Sequence, residues 1–315
     1  MNSKAMPERR GIYSNFVVDS SRWDGFVPRD GDIIISTPPK AGTTWTQMIC
    51  ALLIFQTPDL GRRLSDFTPW IDLKTVPIDE VLATYAAQTH RRFIKTHTPL
   101  DGLPYFSTVR YVVVGRDPRD AFLSMDNHRK NTSPEFMKLI AKNSGAGQSG
   151  AGKSQPNAAP ADEPDLGAQF RDWIVAEGRG AGEFNPNTSS VLHHLASFWA
   201  FRDLPNIFFL HYTDMKRDLA GEMARLARYL DIDVPADVMP ALVEAAGFEQ
   251  MKRNADTLAP NAHKGIWREN ARFFNKGEIG QWNSVLGAEE LRVYREVMDR
   301  FDPEFIRWIE GGRRA

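Results

Sequence analysis

The chain has 315 residues, enough for one large domain or two small ones with a substantial buried core. Hydrophobic residues make up 42% and charged residues 25%, an ordinary globular balance. The formal net charge of -1 provides no global basic field for nucleic acid, so any anion site has to be local.

From the N-terminus, Met1 to Ser21 is polar and mixed in charge. It lacks the apolar core of a signal peptide, so a cytoplasmic location is expected. Gly31-Asp32 is a turn leading into Ile33-Ile34-Ile35-Ser36, a β-branched run that predicts a strand buried on both faces. Thr37-Pro38-Pro39 stops it, and Thr43 to Phe55 predicts a helix opened by threonine. That helix holds the longest apolar run, Met48 to Phe55, which is too short to span a bilayer. It also holds the only cysteine, Cys50, which excludes an internal disulfide and reads as a packing thiol. A second helix is expected over Asp79–Gln88, strands over Arg92–Thr96 and Arg110–Gly115, and a helix from Pro118 to about His128.

Asn143 to Gly167 is rich in Gly, Ala, Ser, Pro and Asn, with almost no large apolar residue. It cannot bury enough surface to offset ordering and reads as a mobile insertion or lid within one domain. A helix over Thr188–Arg202 and a strand over Asn206–Tyr212 follow. Amphipathic helices are then expected at Met215–Leu230 and Ala236–Ala246, an irregular polar stretch at Asp256–Gln281 and a helical tail at Ala288–Glu310. Strands alternating with helices predict an α/β fold, with a central parallel sheet flanked by helices on both faces.

Two loops compete as phosphate sites. Gly147-Gln148-Ser149-Gly150-Ala151-Gly152-Lys153-Ser154 fits the Walker A pattern letter for letter, and on it rests an alternative reading as an ATP-dependent kinase or ATPase. The structural context of that motif is missing. A helical pattern precedes it, Gln155-Pro156-Asn157 cannot open a helix, and a low-complexity stretch makes chance matches easy. Pro39-Lys40-Ala41-Gly42-Thr43-Thr44-Trp45 fails the pattern but joins a buried strand to an apolar helix. There Gly42 permits close backbone approach, the first helical amides face an anion, and Lys40, Thr43 and Thr44 add charge and hydroxyl donors. Taken alone, the loop reads equally well as a capped helix beside a solvated lysine.

Three further segments shift the balance toward the Lys40 loop. They are Lys95-Thr96-His97-Thr98-Pro99-Leu100, then Arg116-Asp117-Pro118-Arg119-Asp120-Ala121-Phe122-Leu123-Ser124, and late in the chain Asn275-Lys276-Gly277-Glu278-Ile279-Gly280-Gln281-Trp282. With the Lys40 loop they resemble, in order, the four signatures of the soluble sulfotransferases, over about Gly31 to Trp282. That family has a P-loop-like nucleotide-binding architecture. It moves a sulfuryl group from 3′-phosphoadenosine 5′-phosphosulfate (PAPS) to a hydroxyl.

The resemblance implies the following roles. Lys40, Ala41, Gly42, Thr43 and Thr44 hold the 5′-phosphosulfate, with Lys40 on the bridging oxygen and Trp45 against the adenine. Arg116 and Ser124 take the 3′-phosphate, and the Asn275-Lys276-Gly277 loop closes over it. His97 is the catalytic base and Lys95 assists. Tyr212 and Phe248 lie near the purine, although Phe248 also reads as a plain core aromatic. His128, His193 and His194 have no such support and read as structure or surface. The pattern is most similar to bacterial members, including some that sulfate glycolipids. It implies a glycolipid or other hydrophobic alcohol or phenol as acceptor, and no metal.

Simple chemistry agrees. Arg116 and His97 follow strands, where ligands gather in open α/β sheets. Guanidinium and ammonium groups suit phosphate, and an imidazole titrating near neutrality suits proton removal from a hydroxyl. The chain also departs from the family. Asn275 stands where the family carries Arg, Ala246 where it often has a hydroxyl residue and Gln281 where Asp is common. Those changes, Asn275 above all, leave open a nucleotide-binding protein with a degenerate catalytic centre. The family's dimer segment has no counterpart in Asn283-Ser284-Val285-Leu286-Gly287, so no oligomer is implied.

Overall fold

The computed structural model describes residues 6–15, 17–136, 165–179 and 190–313. Its centre is a parallel sheet of four short strands, β1 (Ile33–Ser36), β2 (Phe93–Thr96), β3 (Arg110–Gly115) and β4 (Ile207–His211). They lie in the order β2-β1-β3-β4. The register pairs Ile33 with Phe93 on one side of β1 and with Arg110 on the other. Side chains alternate across a strand, so each strand feeds two cores. Ile34, Ile94, Tyr111 and Val113 pack into one, with Phe198, Tyr294 and Phe305. Ile33, Ile35, Phe93, Val112 and Val114 pack into the other, with the Thr43–Phe55 helix and Met223, Leu226 and Leu242. Burial on both faces explains why these strands read as continuous apolar runs. Cys50 is a free, fully buried thiol in the second core, and burial pushes its pKa up to about 12.

The chain leaves β1, crosses to β2, then returns past β1 to β3. The strand order therefore reverses between β1 and β3, and the crevice at their carboxyl ends is where such a sheet takes a ligand. The loop after β1 carries Lys40, and the residue after β3 is Arg116.

Several helices differ from the sequence expectation, each for a local reason. The Pro118 helix runs to Asn131. The Asp117 carboxylate caps it by accepting from the Arg119 amide at 2.9 Å. Met215–Leu230 is two helices, Tyr212–Arg217 and Leu219–Tyr229, because Asp218 caps the second through the Gly221 amide. The tail divides into Ala288–Met298 and Pro303–Gly311, with Asp302 capping and Pro303 opening the last helix. A helix not anticipated, Leu166–Arg179, buries Phe170 and Ile174 at i,i+4 spacing. Leu166 and Gly167 thus belong to a helix and not to an insertion. The remainder of that expected insertion, and the whole Gly147–Ser154 pattern, lie outside the described residues apart from Asp165. No described helix is long and apolar enough to cross a membrane.

Candidate active site

The loop after β1 turns sharply. Lys40 has φ 67° and Gly42 has φ 111°, both in the left-handed region that ordinary side chains resist. A Cβ on Gly42 would also sit tightly against the Tyr212 ring at 3.3 Å, so both the backbone conformation and the space favour glycine there. Gly42 begins the Thr43–Phe55 helix without a side-chain cap, and the first backbone bond of that helix runs from the Thr46 amide to the Gly42 carbonyl at 3.0 Å. The amides of Thr43, Thr44 and Trp45 precede that bond and have no partner within the helix. The Thr37 and Thr43 hydroxyls share a 2.5 Å hydrogen bond that ties the strand end to the helix start.

Arg116 is buried and joins the two strand ends. Its Nη1 donates to the Lys40 carbonyl at 2.9 Å, and its Nη2 reaches the Glu278 carbonyl at 3.5 Å. Its guanidinium lies 4.2 Å from the centre of the Tyr212 ring. Its Nε is buried with no hydrogen-bond partner among the described residues. An orphaned cationic N–H is costly unless an acceptor arrives. Ser124, two turns into the helix that follows Arg116, is half-buried, and its hydroxyl has no hydrogen bond among the described residues.

Lys40 is half-buried, with its ammonium 4.6 Å over the Phe273 ring and 3.3 Å from His128 Nδ1. Burial and then the nearby Arg116 pull its pKa down to about 7. Among the described residues no carboxylate acts on it. Desolvation and a like charge both disfavour the ammonium, and a bound anion would reverse both effects.

His97 follows β2, and its Nδ1 lies 2.7 Å from the Thr37 carbonyl. A carbonyl only accepts, so Nδ1 carries the proton and Nε2 presents a lone pair. Burial, then the positive charges of Lys95 and Lys40, hold its pKa at about 4 against the opposing effect of that hydrogen bond. Lys95 is buried, its pKa lowered by burial to about 8 while Asp72 opposes. Trp70 lies between the two, edge-on to His97 at 5.0 Å and 4.6 Å beneath the Lys95 ammonium. Asp72 fixes this wall by accepting from the indole N–H groups of Trp23 and Trp70, both at 2.7 Å, and from the Thr98 hydroxyl at 3.0 Å. Three cations and a neutral imidazole thus gather at the strand ends, which supplies locally the positive field that the net charge lacks.

The expected purine and 3′-phosphate residues form the adjoining region. Trp45 donates to the Ala246 carbonyl at 2.9 Å and meets Tyr212 edge to face at 5.3 Å. Phe248, Lys276 and Gly277 line an open groove of about 690 Å³ together with Lys216 and Arg253. Gly277 has φ 65° and rests on Phe248, so an added Cβ would collide with that ring. Asn275 has φ 53°, a region that Asn tolerates better than most residues, and its carbonyl accepts from Lys252 Nζ at 3.0 Å. Local conformation therefore gives Asn275 a place that its departure from the family pattern does not suggest. Lys276 is exposed.

The structure thus brings Lys40, Lys95, His97, Arg116, Tyr212 and Trp45 around one crevice and sets Phe248, Lys276 and Gly277 beside it. Sequence reasoning misses Trp70, Asp72, Phe273 and His128. The first three carry no motif. His128 lies four positions after Ser124 on one helix, so the two share a face, and that spacing is the signal available. His193 and His194 are structural. His193 Nε2 bonds Tyr13 and Asp101 at 2.9 and 3.0 Å, and His194 Nε2 bonds Ser36 at 2.9 Å. Among the described residues no group of three His, Cys, Asp or Glu side chains could hold a metal.

Comparison with known proteins agrees with this geometry. The sulfotransferase-domain family model matches residues 30–308. A glycolipid sulfotransferase of Mycobacterium bovis (strain BCG / Pasteur 1173P2) is 40% identical, over 100% of this chain and 98% of that protein. A glycolipid sulfotransferase of Mycobacterium tuberculosis (strain ATCC 25618 / H37Rv) is 39% identical, over 100% and 98%. Among solved structures, retinol dehydratase in complex with androsterone and inactive cofactor PAP has a TM-score of 0.64 at 22% identity, over 91% of this chain and 87% of that one. A mouse sulfotransferase complexed with PAP has a TM-score of 0.62 at 20% identity, over 91% and 89%. At those identities the structures speak for the fold, while the domain match and the mycobacterial relatives speak for descent: the chain belongs to the sulfotransferase family.

Proposed function

We propose that this enzyme transfers the sulfuryl group of PAPS to a hydroxyl of a glycolipid acceptor. The observation that carries the reading is the convergence of Lys40, Arg116 and His97 at the strand-order reversal, with a buried Arg116 Nε awaiting an acceptor. Support also comes from relatives: two solved neighbours of this fold hold PAP, and the two mycobacterial relatives are glycolipid sulfotransferases by name.

The residues present suit the donor. Arg116, Ser124, Lys276 and the Gly277 amide would hold its 3′-phosphate, Trp45, Tyr212 and Phe248 its purine, and Lys40 with the amides of Thr43 and Thr44 its 5′ end. PAPS supplies an activated sulfuryl group whose leaving phosphate gains negative charge as the bond breaks. In this reading the Lys40 ammonium offsets that charge. His97 removes the acceptor's hydroxyl proton at Nε2, and the Thr37 carbonyl keeps the ring in the required tautomer. Lys95, charged at neutral pH and packed on Trp70, adds positive potential beside the base. The gain comes from positioning and electrostatics, as in in-line phosphoryl transfer.

The test combines binding and turnover. Calorimetry is expected to show binding of 3′,5′-adenosine diphosphate and none of ATP, and mass spectrometry to show an added sulfuryl group on a glycolipid incubated with PAPS. Binding of ATP with no response to 3′,5′-adenosine diphosphate would overturn the donor assignment. Transfer to phenols or simple alcohols alone would overturn the acceptor class.

A further inference from the structure

His128 has no motif to recommend it, yet it is the residue that meets the Lys40 ammonium. An ammonium can only donate, so at 3.3 Å the His128 Nδ1 offers its lone pair and the ring proton lies on Nε2. The imidazole is held on its other sides by the late segment of the chain. Trp267 meets it edge to face at 4.8 Å, and Phe273, over which Lys40 lies, meets it at 6.2 Å. That segment is pinned to the end of the helix bearing His128. The Arg268 amide donates to the Asn131 carbonyl, the Ser133 amide to the Ile266 carbonyl, both at 2.8 Å, and the Asn131 side chain to the Glu269 carbonyl at 2.9 Å.

Lysine has a long, flexible stem that gains from being held, and the nearby Arg116 disfavours a second cation beside it. A carboxylate partner would hold Lys40 more tightly but would cancel the charge on which its role depends. A neutral imidazole holds the ammonium and leaves its charge intact. Burial, and after it the charged groups Lys40, His97 and Lys95, all cations when protonated, lower the His128 pKa, so the ring stays neutral down to about pH 3. On its own helix, Asp126 is occupied by Arg129 at 3.2 Å and Lys130 at 2.8 Å.

We propose that His128 is a positioning residue for Lys40, its Nδ1 lone pair holding the ammonium over Phe273 at the mouth of the strand-end crevice in the donor-free enzyme. This rests on the reading of Lys40 as the donor-facing cation. Through Phe273, only two residues before Asn275, it also ties the lysine to the loop expected to close over the far phosphate.

Two substitutions separate this role from packing. His128→Phe keeps an aromatic ring and removes the lone pair, while His128→Asn places an amide oxygen near the position of Nδ1. The first readout needs no turnover: the pH dependence of Lys40 acetylation in donor-free protein, followed by mass spectrometry. Loss of the acceptor destabilises the ammonium, so the midpoint should fall by about half a pH unit or more in His128→Phe and stay near wild type in His128→Asn. An unchanged midpoint in His128→Phe, or equal shifts in both variants, overturns the proposal. The second readout is kinetic. In His128→Phe, kcat should fall about tenfold with the donor KM within about twofold, and His128→Asn should recover most of the loss. A rise in acceptor KM with kcat intact would make His128 an acceptor contact and overturn the positioning role. If wild-type protein moves no sulfuryl group from PAPS, the proposed function fails while the acetylation result still decides the role of His128.

Discussion

At the strand ends, Lys40, His97 and Arg116 are set by β1, β2 and β3, and their partners are backbone carbonyls and buried or half-buried rings. Around Asn275–Gly277 there is no regular element, and the loop is held by a few long-range contacts. The Gly280 amide donates to Asp120 at 2.7 Å, Lys252 reaches the Asn275 carbonyl, and Arg119 packs 3.8 Å from the centre of the Trp282 ring. The strand-end region has a fixed shape and perturbed protonation. The late loop presents an exposed lysine and an open groove. Under the proposed function the difference divides the labour, with the chemistry and part of the donor grip placed where the sheet enforces geometry and only the outer part of the donor grip placed on the loop.

Substitutions can break that division. The largest effect is expected from His97→Ala, which removes the proposed base: kcat should fall by about 10²–10⁴ while affinity for 3′,5′-adenosine diphosphate is retained. Equal loss of binding would mean that His97 supports the fold of the crevice instead. Arg116→Ala removes charge-assisted hydrogen bonds of about 1.5–3 kcal/mol, so calorimetry should show donor-product binding weakened about 10- to 100-fold. It also frees the Lys40 carbonyl, so this change alone should lower kcat and affinity together. Gly277→Ala puts a side chain against Phe248 at positive φ. Binding should weaken about tenfold with kcat nearly unchanged, and a large kcat effect would break the comparison. Lys276→Ala, at an exposed position, should cost only about two- to fivefold in binding at low salt and almost nothing at high salt.

The subtlest expectation is a shift and not a loss. As the proposed base His97 has to be a neutral imidazole, so kcat/KM should rise as pH climbs through about 4. The role proposed for Lys40 needs its ammonium form, so the same parameter should fall through about 7. Bound donor places negative charge beside Lys40 and raises its pKa, so the alkaline limb of kcat should lie at higher pH than that of kcat/KM. Coincident limbs would mean that Lys40 does not face the donor.

Much of this was legible in the chain. The four strands are short runs of β-branched and aromatic residues, and Pro39 to Trp45 announces its turn through Pro, Gly and Thr. Burial on both faces and local turn chemistry are written into nearest neighbours, so strand, loop and helix could be read at β1 to within two residues. Other features depend on distant parts of the chain. The Leu166–Arg179 helix earns its place by packing Phe170 near Tyr294, at 6.3 Å between rings. Asn275 is accommodated by its backbone conformation and by Lys252, neither of which a signature contains.

The sequence by itself determined the α/β class, the loop that follows β1 and the residue types that an anion and a proton transfer need, because these depend on periodicity and on contacts close along the chain. Tertiary structure alone decided that Trp70 and Asp72 form the wall beside Lys95 and His97, that Arg116 bonds the Lys40 carbonyl, and that His128 with Phe273 meets the Lys40 ammonium. Those neighbours come from separate crossovers of the sheet. Their approach is fixed by how the layers pack, which no local pattern encodes.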